Sequence, residues 1–460
     1  VKCRLLFWNV ISEYPIEMTG RCTPTRLAVC SVLIGVSAGL AAAVFLWSLE
    51  LVTHLHWKHP WLLVLLPLAG LLSGGVYTLV GGRADGGTEL ILEELRRPTA
   101  GVPGRMAPLV LGGTLITHLC GGSAGREGTA VQMGGSLAAL LARWLRVPAA
   151  DLPLLLASGL AGGFGAVFGT PLAGAVFAVE LSARGLNPEP SIAGFRRLSR
   201  LLPSLLLCLL TAVVANAAVE VLGVAHTQYR IAGFAADTDG GGRRFPPISW
   251  ADCLLFAARA GLAGVAFGMA AGLFTRFRNA IRSFLKRHVP SVWLRPAFGG
   301  ALVVLLALQT GDSSYLGLGV EASPHRPDDV CIRSCLEADP VDLFGWFWKL
   351  LFTAVTVGSG FKGGEVTPLF FVGAALGNVL STPLAMPPGI LAAMGFAAVF
   401  AGAARTPLAC TLMAFEVFVP ANPDLLSISF LGSTAICCLV AARCSGTVGI
   451  YDAPRHGGAA

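Results

Sequence analysis

The stretches Gly159-Leu-Ala-Gly-Gly-Phe-Gly165 and Gly395-Phe-Ala-Ala-Val-Phe-Ala401 decide how this chain folds, because each is followed at the same spacing by Thr-Pro-Leu-Ala and a glutamate. Thr170-Pro-Leu-Ala173 lies over Thr406-Pro-Leu-Ala409, and Glu180 over Glu416, at one offset of 236 residues. Without a gap, that offset also carries Gly125-Arg-Glu-Gly128 onto Phe361-Lys-Gly-Gly364. Such a repeat predicts two related halves, a plan common in transporters, with the site at the midplane between them. We place the halves at residues 25–224 and 225–451, flanked by an N-terminal cytoplasmic segment (1–24) and a tail (452–460). Counting apolar segments leaves open whether the halves are parallel or inverted.

Working outward, the solvent for most of the chain must be lipid. Of 460 residues, 54% are hydrophobic and 13% charged, with a mean hydropathy of +0.70, whereas a soluble chain carries about 25% charged residues. So few charges cannot cover a soluble surface over so much apolar volume. The net charge of +7 fits basic cytoplasmic loops, and no nucleic-acid partner is expected. The first long apolar run starts at Leu27 and is too long for a signal-peptide core, so it should be retained. Further apolar runs include 106–120, 130–141, 152–179, 254–273, 369–380 and 389–418. Crossing the hydrocarbon takes about 20 helical residues, so runs nearer a dozen are read as half-helices lining a protein cavity. The fold class is all-α integral membrane, built of tilted and broken helices.

The chemistry concentrates at two helix starts. Gly121-Gly-Ser-Ala-Gly-Arg-Glu-Gly128 is a glycine-rich turn entering an apolar helix, and Gly358-Ser-Gly-Phe-Lys-Gly-Gly-Glu365 followed by Val366-Thr367-Pro368 repeats the design. Unpaired amides and the positive end of the helix dipole attract anions there. Pro368 suits a first helical turn, where its missing N–H costs nothing. Glu127 would compete with an external anion for that place and leave it when protonated; an acid inside a membrane is by default functional, often a proton carrier. Glu365, in the second glycine-rich start, earns the same reading. Glu180 and Glu416, each ending an apolar helix, are read as structural.

Weaker signals are set aside. His325, Cys331 and Cys335 sit in a polar connector and lack a fourth ligand, so no metal is expected. Ser359 lacks a histidine base, because only His456 follows it and His118 is the sole histidine inside an apolar run. No dinucleotide or Walker motif appears, so no cofactor and no ATP-driven step are expected.

On these residues the chain resembles the CLC family of chloride channels and anion/proton antiporters, and within it the bacterial fluoride-exporting branch. Gly125-Arg-Glu-Gly128 with Val131-Gln132 looks like the family's gating-glutamate signature, and 158–180 like its next one. The resemblance runs from about Leu27 to Tyr451. It implies a homodimer in a bacterial cytoplasmic membrane, each subunit two inverted halves with its own anion pathway. Glu127 matches the gating glutamate, and Tyr451 the tyrosine whose hydroxyl meets the central anion. The anion-coordinating set it implies is Gly125, Arg126, Gly128, Thr88, Glu365, Val366, Thr367 and Tyr451. Thr88 is placed there through Asp85-Gly-Gly-Thr-Glu89, which departs from the family's usual Gly-Ser-Gly-Ile-Pro loop. Leu181 stands where chloride antiporters carry an internal proton-transfer glutamate, and Gly364-Glu-Val-Thr-Pro368 resembles the fluoride branch. With no domain after Tyr451, nucleotide control is not expected. The expected function is fluoride/proton antiport, with fluoride or chloride, protons and lipid as partners. The alternatives are a chloride/proton antiporter or a passive chloride channel of the voltage-gated type.

Overall fold

Thr23 opens the first long helix by accepting from the Arg26 amide at 3.3 Å, and Pro24 takes the first helical position. The computed structural model describes residues 20–99, 101–183, 194–231, 250–337, 339–421 and 428–452. The expectations for residues 1–19 and 453–460 fall outside these. The helices are α1 (Pro24–Lys58), α2 (Leu66–Val76), α3 (Gly87–Arg96), α4 (Met106–Leu119), α5 (Glu127–Trp144), α6 (Leu152–Phe168), α7 (Pro171–Ala183) and α8 (Gly194–Val221). After them come α9 (Trp250–His288), α10 (Arg295–Thr310), α11 (Ile332–Cys335), α12 (Gly345–Gly358), α13 (Val366–Leu384), α14 (Pro388–Ala404), α15 (Pro407–Phe418) and α16 (Ile428–Cys444). Among the described residues, seven helical stretches are long and apolar enough to cross a membrane, while α4, α7, α14 and α15 are shorter apolar helices.

Two runs that read as continuous in sequence are each broken, at equivalent places. Gly169 takes a left-handed conformation (φ 71°) that ends α6, and Pro171, unable to continue a hydrogen-bonded helix, starts α7. In the second half Arg405 adopts the same conformation (φ 58°) before Thr406-Pro407, held by Nη1 donating to the Thr447 carbonyl at 2.8 Å. The 254–273 run, by contrast, belongs to a helix that continues to His288, because its basic C-terminal turns favour the negative end of the dipole.

The halves are inverted, and their glutamates join them. Glu416 of α15 accepts from the Leu172 and Ala173 amides at 3.0 and 2.7 Å. Reciprocally, Glu180 of α7 accepts from Leu408 and Ala409 at 3.4 and 3.0 Å. The end of each helix cups the start of the other, which requires α7 and α15 to lie antiparallel. Pro171 and Pro407 bring no N–H, so these carboxylates satisfy the next two amides and complement the dipole.

Glycine sets how closely neighbouring helices cross. A Cβ on Gly159 would lie 2.4 Å from the Gly134 carbonyl oxygen, and one on Gly373 would lie 2.0 Å from that of Gly395. Gly159 and Gly395 are equivalent in the repeat, so α5/α6 and α13/α14 cross at matching points. Gly373→Ala should therefore destabilise the protein by about 1–3 kcal/mol through overpacking. Gly432→Ala, on an open face of α16 with nothing within 4 Å, should be neutral or gain up to about 1 kcal/mol from helix propensity. Thermal unfolding in detergent checks both, and equal midpoints would disprove the close crossing.

Candidate functional site

The loop before Glu127 is fixed from several sides. The ring nitrogens of buried His118 lie 2.9 and 3.0 Å from the Thr114 and Ala124 carbonyl oxygens. Ser123 meets the hydroxyls of Thr353 and Thr356 on α12, at 2.9 Å through Oγ and 3.3 Å through its amide. Gly125 and Gly364 exchange both backbone hydrogen bonds at 2.6 Å, tying the two glycine-rich loops together. A Cβ on Gly128 would meet the Gly364 Cα at 2.9 Å. The helix starts Glu127 and Val366, like the mutually bonded Gly125 and Gly364, are 239 residues apart, so the ungapped 236-residue offset does not hold through these loops, and the glycines let the two starts touch.

Glu127 is fully buried (0% exposed), and its carboxylate reaches across to the other half. Thr367 donates to it through the amide at 3.1 Å and through Oγ1, which lies 2.6 and 2.5 Å from the two carboxylate oxygens. Arg126 adds its amide at 3.2 Å and Nε at 3.3 Å. A buried carboxylate is costly unless hydrogen-bonded, and here the first turn of α13 supplies the bonds. The carboxylate thus occupies the anion-attracting end of the partner half's helix.

The other sequence-derived residues are placed as follows. The Gly125 amide is committed to Gly364 and is not an open donor; its contribution is bracing. Gly128 supplies closeness rather than a contact group. Val366 is buried at the first position of α13, where a helix leaves its amide without an intrahelical acceptor. Tyr451 is buried in a turn whose Ile450 amide bonds the Ala403 carbonyl at 2.9 Å. Its ring stands edge-on to Phe177, centroids 6.0 Å apart, within electrostatic reach of both Glu365 and Glu127. Thr88 opens α3 with no side-chain hydrogen bond among the described residues, while neighbouring Gly87 approaches the Gln132 amide. The early loop meets the second half through charge pairs, Asp85–Lys362 at 2.7 Å and Glu89–Arg282 at 2.9 Å.

Glu365 caps none of its own helix's amides, and its partner is a residue sequence reasoning missed. Arg278, on α9, donates Nη1 to Glu365 Oε1 at 2.6 Å and to the Ile450 carbonyl at 3.2 Å. In sequence Arg278 sits among Arg276, Arg282, Lys286 and Arg287 and reads as one more basic residue of a cytoplasmic helix end. Nothing local distinguishes it.

On the side of Arg126, a cavity of about 770 Å³ is lined by His118, His226, Glu321 and Arg333 as well. Glu321 and Arg333 pair there at 3.2 Å. Burial first, and the Arg126 guanidinium after it, hold the His226 imidazole below its usual range. Cys331, weighed as a metal ligand, instead caps α11, accepting from the Ser334 amide at 3.4 Å.

Inverted halves of broken helices, meeting at a buried carboxylate between two helix starts, define a multi-span membrane transport protein. The family profile described as voltage gated chloride channel matches residues 69–445. The chain belongs to this family, the CLC proteins. It is 40% identical over 433 residues, 92% of this chain and 85% of the other, to a protein of Pseudomonas syringae pv. tomato named chloride/fluoride channel protein. It is 27% identical over 416 residues to an H(+)/Cl(-) exchange transporter of Vibrio vulnificus, covering 86% of this chain and 82% of that one. A crystal structure of a CLC-type fluoride/proton antiporter superposes with a TM-score of 0.78 at 30% identity, over 93% of this chain and 97% of that one. A slow cyanobacterial Cl−/H+ antiporter shares the fold at a TM-score of 0.65 and 20% identity.

Proposed function

We propose that this protein is a fluoride/proton antiporter of the bacterial cytoplasmic membrane, working as a homodimer with one pathway per subunit and using inward proton flow to expel fluoride. The observation that carries the reading is that Thr367 turns both its amide and its hydroxyl on the Glu127 carboxylate. Protonation cancels the charge these donors hold, so the side chain swings away and leaves them facing the path. A small, strongly hydrated anion exchanges its water for such close donors at lower cost than a donor-poor site would allow. Tyr451 and the Val366 amide lie on the same route, and Glu365 handles the proton or tunes the anion on its other side. The names of the relatives at 40% and 30% identity support fluoride.

Reconstituted liposomes test this reading. With a fluoride gradient imposed, protons should move uphill in exchange, and an equal chloride gradient should move few. Equal proton movement with chloride would make the protein a chloride/proton antiporter. Anion flux without proton movement would make it a passive channel.

A further inference from the structure

We propose that Arg278 is the positioning residue of Glu365, holding its carboxylate withdrawn until a proton and an anion arrive together. This rests on the reading of Glu365 as part of the transport site. Arg278 is 8% exposed, and its guanidinium is fixed on every side. Nη1 serves Glu365 and the Ile450 carbonyl, while Nε and Nη2 lie 3.3 and 3.2 Å from Asn279 Oδ1. Among the described residues Glu365 is the one carboxylate hydrogen-bonded to Arg278, Glu89 acting on it through space, and the remaining acceptors are neutral. A buried ion pair is costly to break on one side alone, because the charge left behind has lost both its water and its partner.

That cost gives the pair a transport role. When a proton binds the Glu365 carboxylate, Arg278 keeps its positive charge and loses its counter-charge. An anion arriving beside Tyr451, one residue from the Ile450 carbonyl that Arg278 already holds, restores it. The local charge is then the same before and after: guanidinium with carboxylate, or guanidinium with anion and neutral carboxyl. Proton and anion each make the other's arrival cheaper, which is thermodynamic coupling between the two ligands. Arg282, one turn along the same helix, pairs with Glu89 in an exposed setting, its side chain 55% accessible. Such a pair contributes little, and Arg282 serves as the control.

The test compares Arg278→Gln, Arg278→Lys, Glu365→Gln, the double Arg278→Gln/Glu365→Gln and Arg282→Gln in liposomes, with gel filtration and thermal unfolding to establish folding. Arg278→Gln should lower fluoride/proton exchange about tenfold or more, equivalent to about 1.4 kcal/mol in the barrier, and Arg278→Lys should restore most of it. Arg282→Gln should stay near wild type. Because Arg278 acts through Glu365, the double variant should fold and exchange within about twofold of Glu365→Gln alone, the non-additivity of a coupled pair. A further multiplicative loss in the double, its failure to fold where Glu365→Gln folds, or normal exchange in Arg278→Gln would overturn the proposal. Normal exchange in Glu365→Gln would instead remove Glu365 from the site, a separate failure read from a separate protein.

Discussion

Glu127→Gln is expected to bring proton-coupled exchange down to the background of empty liposomes, the largest effect anticipated for any single substitution here. The exchangeable proton of the carboxyl is gone. The wild-type carboxylate is an acceptor only, matched to the Thr367 amide and hydroxyl and to the Arg126 amide and Nε. A glutamine retains the shape and one acceptor oxygen, but its amide group turns donors against donors. Its hold on the start of α13 should weaken, so fluoride should still pass, uncoupled from proton movement. Recording internal pH and internal fluoride together separates the two fluxes. Uphill proton movement that survives in this variant would leave Glu127 as a complement to the helix dipole and nothing more.

Thr367→Val should be the second largest loss. The side-chain volume is almost unchanged, so the buried place at the start of α13 stays filled, while the hydroxyl donor disappears. A hydrogen bond to a charged partner is worth about 1.5–3 kcal/mol, or roughly 10- to 150-fold in affinity. The hydroxyl serves the Glu127 carboxylate in this structure and, under the proposed cycle, the anion that replaces it. Fluoride, whose dehydration is the more costly, should therefore suffer more than chloride. Fluoride and chloride efflux from the same liposome preparation give the ratio. An unchanged ratio would return the fluoride assignment to the relatives alone.

Much of the fold is legible in the sequence because it is decided locally. The offset between Thr170-Pro-Leu-Ala173 and Thr406-Pro-Leu-Ala409 announces two halves. The break at Gly169 is marked by the glycine and the Thr-Pro after it, that at Arg405 only by the Thr-Pro, and hydropathy averaged over 152–179 or 389–418 smooths such a break away. Arg405 carries no glycine signal at all; the Thr447 carbonyl, 42 residues on, holds its left-handed backbone. Of the site, Glu127 and Glu365 were readable as acids at glycine-rich helix starts, and Thr367 and Tyr451 through the family resemblance. How these residues pair was not.

What the sequence determined by itself is residence in lipid, two related halves, and a carboxylate at each of two glycine-rich helix starts. Composition and backbone preference act over a few residues, so their reading needs no knowledge of the distant chain. The inversion of the halves was implied by the family resemblance and left open by the residues alone; only the tertiary structure decided that Glu127 bonds Thr367 rather than its own helix, and that Glu365 faces Arg278. Those pairs are 240 and 87 residues apart. Charge and hydrogen-bond partners at such separations are chosen by which surfaces the packed helices bring together, and the close glycine crossings at Gly134–Gly159 and Gly373–Gly395 set that geometry about two helical turns from each carboxylate.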